Sequence, residues 1–165
     1  MATDPQTGKH RVYIDAMIPS YLVAPLSRDP KIAGWQRITR EFWQDTRFEF
    51  VLSDYVIDEI SSGDASQAAN RLQAVAKVPV VVVRHFDLVF AEQLIHQKAI
   101  PHGALTDAVH IAVTARRAIP YLATWNFTHL ANANTRSKIE QVCRDAGYAP
   151  PRIDTPEAIL EETNV

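Results

Sequence analysis

The chain has 165 residues, 47% of them hydrophobic, enough for one domain with a proper core. No run of eighteen apolar residues occurs and Met1 to His10 is polar, so neither a membrane span nor a secretion signal is expected and the expected location is the cytoplasm. A formal charge of −2 and a pI near 6.3 exclude a globally cationic nucleic-acid binder, and a single cysteine, Cys143, excludes an intrachain disulfide or a cysteine-based zinc site.

Residues 1–10 are expected to form a flexible N-terminal segment and residues 11–165 one domain, since no linker, repeat or low-complexity tract interrupts them. Val12-Tyr13-Ile14 predicts a first buried strand ending at Asp15. Asp29-Pro30 predicts a helix start, after which Ile32, Trp35, Ile38, Thr39, Phe42 and Trp43 recur at helical spacing, a face read as core. Phe48 to Ser53 predicts the second strand. Asp54 is expected to cap a short helix carrying Glu59; Ser61-Ser62-Gly63-Asp64 should break it and start another through Val75. Val80 to Val83 predicts a buried strand or connector.

Phe86, Phe90, Leu94 and Ile95 predict a helix ending before Pro101. A loop then leads to a helix from Asp107 whose Ala108, Ile111, Ala112 and Ala115 form an apolar stripe, with Asp107 and His110 together off it. Tyr121 to Thr124 predicts a last buried strand running into Asn126. Thr135 to Ala146 predicts a helix stopped by Gly147, with Cys143 packed on it, and a short strand and helix complete the tail. Such alternation of strand and helix argues for an α/β sheet.

Four polar residues stand where such a sheet would aim ligands. Asp15 and Asn126 follow apolar strands, at the carboxyl edge where open parallel sheets bind their ligands. Glu59 and Asp107 lie on apolar helical patterns, where an unpaired charge is costly to bury. Three carboxylates and an amide oxygen suit a hard divalent cation such as Mg2+ or Mn2+. Taken singly, each has a plainer reading: Asp15 as a turn cap, Glu59 as a solvent-facing acid replaceable by Asp54 or Asp58, Asp107 as a helix-start acid, Asn126 as a turn bridge.

The stretches Val12-Tyr13-Ile14-Asp15, Asp107-Ala108-Val109-His110-Ile111-Ala112 and Leu122-Ala123-Thr124-Trp125-Asn126-Phe127-Thr128-His129 resemble the motifs of PIN-domain proteins. The resemblance runs from about Arg11 to Pro156. It implies a single three-layer domain with a central, mostly parallel sheet flanked by helices. It also implies metal-dependent ribonuclease activity, with metal and catalytic roles for Asp15, Glu59, Asp107 and Asn126. Many bacterial members are toxins of toxin-antitoxin pairs, so an RNA substrate, an antitoxin partner and a homodimer are implied as well. Two departures stand out: Ala16 replaces the small hydroxyl residue common after the first aspartate, and Asn126 stands where an aspartate is frequent.

In this expectation a divalent cation activates water and offsets charge on a phosphodiester, so no covalent nucleophile is needed. Asp15 and Asp107 are the expected direct contacts, Glu59 binds metal or orients water, and Asn126 offers a neutral oxygen or a supporting hydrogen bond. Arg28, Lys31, Arg37, Arg40, Arg47 and the Arg116-Arg117 pair are read as a basic rim, against a plainer reading as solvated helix charges. His110 and His129 are read as supporting or packing residues, Tyr13, Trp35, Tyr55 and Trp125 as core. The competing expectation is a PIN-like domain that binds RNA or protein without cutting, carried by Asn126 and the charge balance. A dinucleotide enzyme is disfavoured because no glycine-rich loop follows Ile14, and an aspartyl-phosphate site because Ala16-Met17 supplies no second acid.

Overall fold

A computed structural model describes residues 3–164. Five strands, β1 (His10–Ile14), β2 (Phe48–Ser53), β3 (Val80–Val81), β4 (Tyr121–Ala123) and β5 (Arg152–Asp154), form one all-parallel sheet in the order β3-β2-β1-β4-β5. Eight helices connect and flank them: α1 (Met17–Val23), α2 (Pro30–Gln44), α3 (Asp54–Ile60), α4 (Ala65–Ala74), α5 (His85–His96), α6 (Leu105–Arg116), α7 (Ala133–Asp145) and α8 (Pro156–Thr163). The α/β architecture is therefore the one the alternation predicts, and its parallel central sheet the one the resemblance implies.

Central strands of a covered parallel sheet are buried on both faces, which is why β1 and β4 read as unbroken apolar runs. Val12, Tyr13, Ile14, Leu122 and Ala123 are all fully buried. By contrast β3 lies at the sheet edge and is only two residues long, with Val80 and Val82 exposed, so the Val80–Val83 run is less buried than its composition suggests. β2 and β3 lie to one side of β1, β4 and β5 to the other. The chain thus changes winding direction between β1 and β4, and such a switch point opens a crevice at the carboxyl edge. Pairing of Ile14 with Ala123 sets Asp15 against the residues that follow β4.

Helix starts follow the sequence signals. Asp29 accepts from the Lys31 amide at 2.9 Å with Pro30 in the first turn of α2; Asp64 caps α4, and Gly147, at φ +84°, ends α7 in the left-handed region. Asn132 caps α7, which begins two residues before the predicted Thr135. Asp54 does not cap α3 as expected. It is the first residue of that helix and its carboxylate accepts the Val83 amide at 2.9 Å, tying β3 down, while the preceding Ser53 spends its hydroxyl on Tyr13. Helix α1 was not foreseen in the sequence, its seven residues being too few for a periodic pattern.

Arg116 and Arg117 also part from expectation. Both bond the fully buried Asp87 on α5, Arg116 at 2.5 Å and Arg117 at 2.8 and 2.9 Å, so they lock α5 to the far end of α6 rather than fringing the acids. Burial alone would raise the Asp87 pKa, but hydrogen bonds from Arg117, the Arg84 amide and Arg116 hold it below the ordinary carboxylate value. Arg47 is occupied with Asp45, and Arg40 with the Ala24 carbonyl. The proposed rim is thus largely structural in these positions. Among the described residues no helix is long and apolar enough to cross a membrane.

Candidate active site at the carboxyl edge of the sheet

Asp15 leaves β1 directly into the crevice and is 5% exposed. One carboxylate oxygen accepts the Met17 amide at 3.0 Å, and the other accepts the hydroxyl of Thr124, just beyond β4. Burial pushes its pKa up to about 6; the Thr124 hydroxyl, the nearby His110 and the Met17 amide pull the other way, and the Glu59 charge pushes it up further. Asp15 and Glu59 thus lie near enough to feel one another electrostatically.

Thr124 was not singled out in the sequence. It restores at this site the hydroxyl that Ala16 lacks, delivered from a neighbouring strand rather than from the next residue in the chain. The same oxygen accepts the Asn126 amide at 2.9 Å. Asn126 in turn donates from Nδ2 to Asp107 at 3.2 Å, and its Oδ1 accepts the His129 amide at 3.0 Å. The side chain therefore turns its amide nitrogen, not its oxygen, toward the acid. His129 completes the group: its Nδ1 lies 2.9 Å from the same Asp107 oxygen, which as an acceptor assigns the proton to that nitrogen. Asp107 sits in the first turn of α6, half-buried, where the helix dipole favours a carboxylate.

Glu59, near the end of α3, is held on the other flank. Its carboxylate lies 2.8 Å from Nε2 of His110, an α6 residue only 1% exposed, whose Nδ1 is 2.7 Å from the Tyr13 hydroxyl; that hydroxyl is also 2.7 Å from Ser53 Oγ. With the Glu59 carboxylate as acceptor, His110 donates from Nε2 and accepts the Tyr13 hydroxyl at Nδ1, which leaves Tyr13 to accept from Ser53. Tyr13 is held well above its ordinary pKa, chiefly by burial, which keeps it a neutral donor. His110 and Asp107, although three residues apart on one helix, have different partners: α6 presents two polar side chains to two halves of the crevice. Both histidines thus hydrogen-bond one of the acids, His110 to Glu59 and His129 to Asp107.

The aromatic residues are core, as expected. Trp125 is buried, donates from its indole to Thr39 at 2.9 Å and stacks on Trp35 with ring centres 5.3 Å apart.

The donor set offers a divalent cation little that is not already engaged. Each Asp15 oxygen accepts one hydrogen bond and keeps a further lone pair, and both hydrogen bonds to Asp107 fall on one of its two oxygens. Among the described residues no group of three or more His, Cys, Asp or Glu side chains is placed to hold a metal ion. The set does not fit a site made wholly of protein ligands; the free lone pairs of Asp15 and Asp107 match only a cation such as Mg2+ that keeps several waters and takes one or two carboxylates.

No family model and no curated protein matches the chain. A search of solved structures finds VapBC2 from Rickettsia felis, crystallised with a DNA fragment from its promoter, at a TM-score of 0.52 and 11% identity, covering 88% of this chain and 98% of that one. At that identity the likeness is one of fold. The chain folds as a PIN-like α/β domain, the architecture that its three motifs imply.

Proposed function

We propose that the chain is a metal-dependent endoribonuclease that hydrolyses RNA phosphodiester bonds at the β1/β4 crevice, with Asp15, Glu59, Asp107 and Asn126 as its site. The observation that carries this reading is the continuous hydrogen-bonded line from Asp15 through Thr124 and Asn126 to Asp107, which fastens acids distant in sequence at the sheet's switch point. Asp15 and Asp107 would hold Mg2+ or Mn2+ through their free lone pairs. A divalent cation there would lower the pKa of water and offset negative charge building on the phosphate. Glu59, oriented by His110, accepts a proton from water entering the crevice. Asn126 holds Asp107 in place rather than adding an oxygen to the cation, and His129 fixes the same carboxylate from the outer side.

The deciding experiment incubates purified wild type and Asp15→Asn with mixed structured RNAs in Mg2+, Mn2+ or chelator. Products that need metal and vanish with the substitution support the reading; equal cleavage by both proteins would sink it. The Asn126 amide facing Asp107 favours a second reading, a PIN-like domain that binds RNA or a protein without cutting, and RNA retention without products would select it.

A toxin role within a toxin-antitoxin pair goes with this proposal, supported by the motif resemblance and by the fold shared with VapBC2. It includes an antitoxin partner and a homodimer, for which the exposed apolar side chains of Val80 on the edge strand, Val82 just after it and Phe86 on α5 are candidates. Induction in bacteria should arrest growth with the wild type and not with Asp15→Asn.

A further inference from the structure

A cavity of about 1080 Å³ lies beside the acids rather than over them, between α5, the turn that follows it and the start of α7. Its wall reaches Thr128, adjacent in the chain to His129, and Leu105, in the first turn of α6 with Asp107, so it lies close to the Asp107 side of the crevice without including the acids. Val89, Ile95, Ile100 and Leu105 make its apolar part. Lys98, Lys138, His96 and His102 line it with basic groups, and Glu92 is the one acid in the lining.

Charge there runs against the protein as a whole, which has 19 acidic and 17 basic residues. Among the described residues, none of the four basic side chains has a hydrogen-bond or ion-pair partner, whereas Arg116 and Arg117 are consumed by Asp87. Lys98 also stands at φ +62°, in the left-handed conformation where the end of a helix favours glycine.

We propose that this cavity is the binding subsite for the single-stranded RNA flanking the scissile bond, its apolar wall taking a nucleobase and Lys98 and Lys138 the phosphates. The inference rests on the nuclease reading and names where its substrate lies. Phosphate neutralisation by lysine supplies most sequence-independent affinity for nucleic acid, and apolar platforms add base contacts without sequence preference. The two unpaired lysines and the nearness of Thr128 and Leu105 to His129 and Asp107 favour a polyanionic strand running from the acids over a separate protein docking there.

The test is fluorescence anisotropy of a labelled single-stranded RNA oligonucleotide, in chelator so that nothing is cut. Relative to wild type, Lys98→Gly/Lys138→Ala should weaken binding about tenfold and reduce the salt-dependence slope by about 1.4, the value for two lost phosphate contacts on a single strand. Lys77→Ala, an exposed lysine outside the cavity, should bind as wild type does. Glycine suits the Lys98 backbone and Lys138 is on the surface, so the double variant should melt no lower than wild type. Unchanged RNA affinity in the double variant overturns the inference, as does a wild type that ignores RNA yet binds an acidic amphipathic peptide through these lysines. Lysine-dependent RNA binding by a protein that never cleaves would support the subsite and sink the nuclease reading alone.

Discussion

Thr124 joins Asp15 to Asn126 through a single oxygen, donating a hydrogen bond to the buried carboxylate and accepting one from the Asn126 amide at 2.9 Å. One hydroxyl therefore couples the ends of two adjacent strands. Thr124→Val keeps the shape but leaves both partners unsatisfied in a buried place. A loss of about 1–3 kcal/mol in unfolding free energy is expected, with cleavage impaired more than the fold. Denaturant melts alongside RNA cleavage check this; a variant as stable and active as wild type would show that the bridge is incidental.

Without a cation, Asp15 should make stability depend on pH in an unusual direction. Its pKa is raised from the ordinary 3.8 to about 6, so between those values the folded state binds more protons than the unfolded one. The contribution of this group to stability is greatest below about pH 4, falls as pH rises to 6, and stays low above that. A rise of that size corresponds to about 3 kcal/mol. Asp15→Asn should remove this slope and raise the melting temperature at pH 8. Melting curves of both proteins in chelator from pH 4 to 8 decide it.

Divalent cation should reverse that cost, because a metal that binds the folded form alone stabilises it by mass action. At one hundred times the dissociation constant the gain is about 2.7 kcal/mol. Mg2+ or Mn2+ at millimolar concentration should therefore raise the wild-type melting temperature at pH 8 and leave Asp15→Asn unmoved. No shift in the wild type would argue that the carboxylates hold no cation.

Asp87→Ala addresses the fold and not the chemistry. It strands two arginine side chains, each less than a quarter exposed, and should cost about 3–5 kcal/mol of stability. At a temperature where the variant remains folded its specific cleavage activity should match wild type, since the cluster lies at the opposite end of α6 from Asp107. Activity falling in proportion to the folded fraction is the expected pattern; a larger fall would connect α5 to the site.

Much of the architecture was legible because parallel strands buried on both faces leave apolar runs, and helices leave caps: Val12 to Ile14, Tyr121 to Thr124, Asp29-Pro30 and Gly147 each correspond to an observed boundary or strand. Asp15, Glu59, Asp107 and Asn126 were visible as polar residues in apolar surroundings. Thr124 was not, because its importance comes from the pairing of Ile14 with Ala123, a long-range register that no local pattern encodes. Ser53 was hidden for the same reason, its partner Tyr13 lying forty residues away. The Arg116-Arg117 pair misled because charge on a helix surface looks alike in sequence whether it faces solvent or the fully buried Asp87.

Trp125 stands between Thr124 and Asn126, its indole fixed by Thr39 and its ring face-to-face with Trp35. Its near-ultraviolet emission and circular dichroism should accordingly respond to any shift of the two flanking polar groups. The molecule thus carries an intrinsic optical reporter at the crevice, through which occupancy can be followed without a dye.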